Sequence, residues 1–176
     1  MRARPYDLTS VWLVPAPRQE CWDVLGDPRM TWPRWWRGVE ALEVRPATAT
    51  TGSFARLRFR SPVGYALVLD LVVGPATPPE RVQIDVDGDL RGHGDVRLTA
   101  PTPGTTRVDI RWHVRTTRTW MNVVGPVAAP AFALAHAAMM RSGERGLRRH
   151  LAGRSGTAGG QSASRQANQR CTSDRS

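Results

Sequence analysis

The stretch AFALAHAAMMRSGERGLRRHL, Ala131–Leu151, decides the fold of this chain. Its residues are strong helix formers apart from Gly143 and Gly146, so it predicts one long C-terminal helix. On a helical wheel of about 100° per residue, one face of this helix collects the residues that we expect to be buried: Phe132, His136, Met139, Gly143 and Leu147. His136 is the polar residue on that face.

Seven segments before this helix have the character of β-strands. In the first, Leu8, Ser10, Trp12 and Val14 share one face while Asp7 and Thr9 share the other, a weak period-two pattern typical of a half-buried strand. Short turn-like segments, among them Gly74–Pro79 and Gly88–Gly94, separate the other six, with no helix between them, so they predict an antiparallel meander. The predicted strands are Tyr6–Val14, Val39–Val44, Phe54–Phe59, Tyr65–Val73, Arg81–Val86, Gly94–Thr99 and Thr106–Val114.

Two short helices are predicted after the first strand. The segment APRQECWDVLGD places Trp22 and Leu25 on one helical face, and Gly26 and Asp27 end it. In PRMTWPRWW, Pro33 prevents a long continuation, so we interpret it as a brief helical or turn element acting as a hinge or lid.

This order of elements predicts an α+β fold in which a seven-stranded, curved antiparallel sheet wraps around the long C-terminal helix. A sheet with one apolar face must cover that face, and only the last helix is long enough. Because Gly143 and Gly146 make the buried face of the helix shallow, we expect space between helix and sheet. Space at this position predicts a bound ligand.

The composition excludes several classes of protein. The 176 residues are 40% hydrophobic and 23% charged, as in ordinary globular proteins, which argues against global disorder, a collagen-like repeat or a coiled coil. We predict one domain over residues 1–152 and a disordered tail over residues 153–176, which lacks apolar periodicity. No segment has the length and apolarity of a signal peptide or a membrane span. Cys21 and Cys171 are far apart in the sequence and provide no disulfide framework. A cytoplasmic protein without membrane insertion is therefore expected.

The net charge of +10 comes from 25 arginines with no lysine against 15 acidic residues. A nucleic-acid-binding module is the competing class, since Arg56, Arg58 and Arg60 alternate along one strand face, and Arg111 and Arg115 along another. The aromatic residues do not interleave with these arginines as in a stacking platform. We therefore interpret the arginines as solvated surface and predict no nucleic-acid partner.

The chain resembles the SRPBCC or START-like superfamily, the helix-grip fold shared with polyketide cyclases. Three segments carry the resemblance: APRQECWDVLGDPRMTWPRWWRGVEALEV, GDLRGHGDVRL and RWHVRTTRTWMNVVGPVAAPAFALAHAAMMRSGERGLRRHL. It spans about residues 6–151. The resemblance implies a deep apolar cavity between sheet and helix that binds lipids, polyketides, phenolics or quinones. It leaves open whether the protein is a carrier or a cyclase, because the superfamily includes both.

His136 is the candidate catalytic residue, because a neutral imidazole facing a cavity can donate to a ligand carbonyl or accept a proton. It can equally be a core histidine, and the sequence shows no acidic partner for it. Trp112 shares an inward face with Val108, Ile110 and Val114, while His113 points to solvent. The predicted ligand-binding residues are Trp112, Trp120, Phe59, Leu67, Leu69, Ile84, Phe132, His136, Met139, Met140 and Gly143.

The cluster of Trp32, Trp35 and Trp36 has three possible roles: an aromatic gate at the mouth of the cavity, a hydrophobic latch closing the sheet, or an edge that touches a membrane. No metal ion and no cofactor are predicted. His93 beside Asp95 suggests a metal pair, but no third ligand is near in sequence, and a turn explains the spacing. The oligomeric state is left open.

Overall fold

A computed structural model describes residues 5–62, 64–118 and 130–154. Seven strands form one antiparallel sheet: β1 (Pro5–Val14), β2 (Val39–Arg45), β3 (Phe54–Arg60), β4 (Ala66–Thr77), β5 (Arg81–Gly88), β6 (Leu90–Thr102) and β7 (Thr105–Thr116). Their spatial order is β1-β7-β6-β5-β4-β3-β2. β1 is therefore one edge strand of the sheet and β2 is the other, and the remaining strands of the meander lie between them.

Among the described residues, three helical elements accompany the sheet. Helix α1 (Arg18–Leu25) and a single 3-10 turn (Trp32–Arg34) connect β1 to the opposite edge of the sheet. Thus the first predicted short helix is present, and the second is one turn. Helix α2 spans residues 130–154, as the C-terminal stretch predicts. Residues 153 and 154 of the predicted tail belong to this helix, and residues 155–176 lie outside the described residues.

Apolar side chains on the concave face of the sheet pack against α2 and α1. The alternation predicted for β1 is confirmed, since Trp12 and Val14 are buried while Val11 and Leu13 are exposed. Irregular register in β2, β4 and β6 bends those strands. The side chains buried most completely in this core include Trp12, Met30, Leu57, Leu71, Leu98 and Leu147.

The C-terminal helix is also bound to the backbone of the sheet edge. The Leu13 amide donates a hydrogen bond to Glu144 Oε1 (3.1 Å), and Arg148 Nε donates to the Leu13 carbonyl oxygen (2.7 Å). Glu144 and Arg148 also form an ion pair one helical turn apart. Together they occupy both backbone hydrogen-bonding groups of an exposed residue on an edge strand, which would otherwise be free to pair with another chain.

Two predicted turns are wrong in extent. The segment from Gly88 to Gly94 was expected to be a turn, but β6 begins at Leu90 and pairs with β5 and β7 on both sides. Likewise β4 continues to Thr77 through the predicted turn at Gly74. In the middle of a sheet, hydrogen bonding to two neighbours outweighs the low strand propensity of glycine.

Candidate functional site

A cavity of about 140 Å³ lies between the concave face of the sheet and α2. Its wall is almost entirely apolar. The sheet contributes aliphatic and aromatic side chains from its inward-facing positions, and the helix contributes one face. The apolar lining comprises Leu8, Trp36, Phe59, Leu67, Leu69, Val86, Leu90, Trp112, Val114, Phe132, Ala135, Met139 and Met140.

Most of the residues predicted to bind a ligand meet at this cavity. Those on its wall are Phe59, Leu67, Leu69, Trp112, Phe132, His136, Met139 and Met140. Ile84 is instead buried in the hydrophobic core, 3% exposed. Trp120 lies outside the described residues.

Gly143 is not a wall residue, and the expectation that it leaves space is wrong. A Cβ atom at Gly143 would lie 2.6 Å from Cε2 of Trp36 and 2.9 Å from Cζ2 of Trp12. At Gly146 it would collide with the carbonyl group of Trp35. The two glycines therefore allow the tryptophans to pack directly on the helix, and indole rings fill the space predicted for a ligand.

The tryptophan cluster is a buried latch. Trp32, Trp35 and Trp36 are at most 8% exposed, so a membrane-touching edge is wrong. The ring of Trp36 stacks on Trp35 (5.8 Å between centroids) and meets Trp12 edge-on (5.4 Å). Trp36 Nε1 donates a hydrogen bond to the carbonyl oxygen of Met139 (3.1 Å). This latch joins the connection after β1 to α2, and Trp36 also forms part of the cavity wall.

His136 contributes a polar atom to the cavity. Its Nε2 is buried and has no hydrogen-bond partner among the described residues. Burial lowers the pKa of His136 below its ordinary value near 6.5, since the charged ring is poorly solvated there. The imidazole is therefore neutral at neutral pH, and can donate or accept one hydrogen bond at Nε2.

A second polar group was missed by the sequence analysis. Tyr6 lines the cavity, and its hydroxyl is buried with no partner among the described residues. The alternation of β1 places Tyr6 on the same face as Leu8 and Trp12, so the signal was present in the sequence. Tyr65 and Ser61 also line the cavity and share a side-chain hydrogen bond, while burial raises the pKa of Tyr65.

Trp112 owes its position to a glycine on the next strand. Gly94 on β6 pairs directly with Trp112 on β7, and a Cβ atom there would lie 2.5 Å from Cζ3 of the indole. The ring therefore covers the backbone of Gly94. This contact holds one aromatic wall of the cavity against the sheet.

The convex face of the sheet carries charge. Arg56 pairs with Asp70 through two hydrogen bonds (2.6 and 2.7 Å), and Glu40 accepts from both Arg58 and Arg60. Each arginine of this predicted row is thus paired with a carboxylate on a neighbouring strand.

His93 and His113 meet on the same convex face. They are directly opposed on β6 and β7, and Asp95 lies beside them. The expectation that the pair His93 and Asp95 lacks a third ligand is therefore wrong, because strand pairing brings His113 to it from elsewhere in the sequence.

Solved structures show the same architecture. The di-domain ARO/CYC BexL from the BE-7585A biosynthetic pathway is 15% identical with a TM-score of 0.64, covering 84% of this chain and 50% of that one. The ZhuI aromatase/cyclase from Streptomyces sp. R1128 is 14% identical with a TM-score of 0.64, covering 84% of this chain and 94% of that one. KanY is 14% identical with a TM-score of 0.63, covering 86% and 99%. This chain spans half the length of BexL.

These similarities show that the chain has the helix-grip fold of aromatase/cyclase proteins, as its resemblance to the SRPBCC or START-like superfamily predicts. No family model matches the sequence, and no curated protein matches it. Within the described residues, no helix is long and apolar enough to cross a membrane.

Proposed function

We propose that this protein binds a small, mainly apolar molecule that carries an oxygen atom, in the cavity between the sheet and α2. The observation that supports this most strongly is the pairing of an apolar wall with two buried polar atoms, His136 Nε2 and the Tyr6 hydroxyl, that have no partner among the described residues. Leaving a buried polar group unpaired costs about 1–3 kcal/mol. A ligand oxygen that reaches either atom removes that cost.

The cavity is suited to a ligand that contains a planar ring. Its volume of about 140 Å³ is close to the roughly 150 Å³ of an engineered apolar cavity that binds benzene. Phe132 meets Tyr65 edge-on (5.8 Å between centroids), and Phe59 meets Trp36 edge-on (6.2 Å). These rings, with Trp112, provide flat apolar surfaces on which a planar ligand can stack. A phenol-sized molecule fits this volume, and a larger ligand requires α2 or the aromatic wall to move.

The polar preference is tested with two ligands of matched shape, phenol and toluene, each titrated while tryptophan fluorescence is followed. The proposal predicts that the wild-type protein binds the phenol about tenfold more tightly, in line with one hydrogen bond in a buried site. Tyr6→Phe and His136→Leu should each reduce this preference while retaining binding of the hydrocarbon. Equal affinity for both ligands in the wild-type protein would contradict it.

A cyclase-type enzyme is the second candidate, supported by the similarity in fold to aromatase/cyclase proteins and by the neutral, buried imidazole. In such a reaction His136 Nε2 would accept a proton from a carbon between two carbonyl groups. The carbanion would attack a ketone carbonyl of the same substrate molecule, and the imidazolium would return the proton to the resulting alkoxide.

Turnover separates the two candidates. General acid-base catalysis contributes about a hundredfold to ten-thousandfold, so a cyclase should convert a linear poly-β-ketone, and His136→Gln should abolish conversion with little change in affinity. A carrier should show saturable binding and no conversion in the unmutated protein.

A further inference from the structure

Two histidines and an aspartate form a compact cluster on the convex face of the sheet, opposite to the cavity. His93 on β6 faces His113 on β7 directly, with 5.2 Å between ring centroids and 35° between the ring planes. Asp95 lies two residues after His93 and therefore on the same face. One ligand atom from each residue lies within 4.8 Å of the other two.

We propose that His93, Asp95 and His113 bind a divalent transition-metal ion, with Zn²⁺ as the representative. Two imidazoles and one carboxylate are a donor set that suits Zn²⁺, Ni²⁺ and Cu²⁺. Bonds of about 2.0–2.2 Å to a tetrahedral ion place ligand atoms roughly 3.5 Å apart. His93 and His113 are exposed, so small side-chain rotations close the remaining distance while water fills the fourth position.

The first support is a carboxylate behind one of the histidines. Asp7 on β1 is directly opposite His113, and its Oδ1 lies 2.6 Å from His113 Nδ1. Metal-binding histidines commonly donate their second ring N–H to a carboxylate, which orients the ring and increases the basicity of the ligating nitrogen. With Nδ1 occupied by Asp7, Nε2 of His113 is the nitrogen available to an ion.

The second support is the fixed position of the aspartate. Asp95 Oδ1 accepts hydrogen bonds from Arg81 (2.8 Å) and Gln83 (3.2 Å) on β5. These partners hold the carboxylate in place. The aspartate is therefore already oriented before an ion arrives.

The charges around the cluster are mixed. Asp85 on β5 lies opposite His93. Four residues on neighbouring strands therefore form a row across the sheet, with a carboxylate at each end: Asp7, His113, His93 and Asp85. Arg111 on β7 lies opposite Asp95, and Arg81 contacts it. Asp7 and Asp85 offset the charges of Arg81 and Arg111.

The site is separate from the cavity. Alternation along β6 and β7 directs His93 and His113 outward, whereas Trp112, the residue before His113 on β7, points to the cavity. The ligands come from central strands of the sheet, so their backbone is rigid. Binding of an ion here does not depend on the proposed ligand in the cavity.

The test is a Zn²⁺ titration by isothermal calorimetry on protein without an affinity tag. The chain has four histidines, and His150, which is outside both this cluster and the cavity wall, provides a matched control. One Zn²⁺ per chain is expected for the wild-type protein and His150→Gln, with affinity at least tenfold lower for His93→Gln and for His113→Gln. Asp7→Asn should weaken binding by about tenfold through loss of the orienting carboxylate.

A second measurement locates the ion. In NMR spectra, the ring protons of His93 and His113 should shift on addition of one equivalent of Zn²⁺, and those of His150 should not. The proposal is overturned if the wild-type protein shows no saturable uptake, or if the double variant His93→Gln/His113→Gln binds Zn²⁺ as tightly as the wild-type protein. Melting curves recorded without metal establish that the variants are folded.

Discussion

The indole Nε1 of Trp36 donates a hydrogen bond to the carbonyl oxygen of Met139, 3.1 Å away and 103 residues further along the chain. The same indole ring lies where a side chain at Gly143 would be. Met139 and Trp36 both line the cavity. One side of the cavity is therefore built by inserting a tryptophan into a notch on α2, and its shape depends on that notch.

A methyl group in the notch should destabilise the protein. Gly143→Ala places a Cβ atom 2.6 Å from Cε2 of Trp36 and should lower the free energy of unfolding by about 1–3 kcal/mol, the usual cost of overpacking. Gly153→Ala is the matched control, because a Cβ atom there meets nothing within 4 Å and alanine favours the helix. Urea unfolding curves compare the variants. A Gly143→Ala protein as stable as the wild type would show that Trp36 does not occupy the notch.

The attachment of α2 to the edge strand β1 should affect hydrogen exchange at one backbone amide, that of Leu13. Glu144→Ala removes the acceptor for the Leu13 N–H and should cost about 0.5–1.5 kcal/mol, because one hydrogen bond is lost. Hydrogen exchange of the Leu13 amide should accelerate in this variant. In Glu144→Gln an acceptor oxygen remains, so exchange should stay close to that of the wild type. Unchanged protection of Leu13 in Glu144→Ala would argue against the contact.

Stability should fall in mild acid through His136. Its folded-state pKa lies below the ordinary value near 6.5, so the unfolded chain takes up this proton first as the pH falls. The free energy of unfolding should therefore decrease from about pH 7.5 to pH 5.5.

His136→Gln removes this titration and should flatten the profile of stability against pH. His150→Gln is a useful comparison, since burial also lowers the pKa of His150, assisted by Arg154 and Arg34. Both substitutions together should flatten the profile more than either alone. Identical profiles for the wild-type protein and His136→Gln would show that this ring is not buried in its neutral form.

The sequence predicted the strands, the meander of the last six and the inward face of α2, because period-two and helical patterns are local signals. It did not predict that β1 pairs with β7. It did not predict which part of α2 packs directly against other side chains and which part borders the cavity. Gly143 was assigned to the cavity because glycine leaves room on its own helix. The side chain that takes this room, Trp36, comes from a segment far away in sequence.

Strand pairing explains the other differences. Gly92 and Gly94 indicate a turn when they are read locally, yet β6 passes through them because β5 and β7 supply hydrogen bonds on both sides. Once this segment is a strand, Gly94 accommodates Trp112, and His93 comes opposite His113. Neither contact follows from spacing in the sequence, whereas the position of Tyr6 on the inward face of β1 does.

The central claim, that the cavity binds a small apolar ligand, is tested most directly by filling it from the helix. Ala135 lines the cavity and is 3% exposed, while Ala133 on the same helix is exposed. Tryptophan fluorescence is recorded during titration with phenol for the wild-type protein, Ala135→Leu and Ala133→Leu. We predict saturable one-site binding for the wild type and Ala133→Leu, and affinity at least tenfold lower for a folded Ala135→Leu. Equal binding by all three proteins, or no saturable binding by the wild type, would contradict the claim.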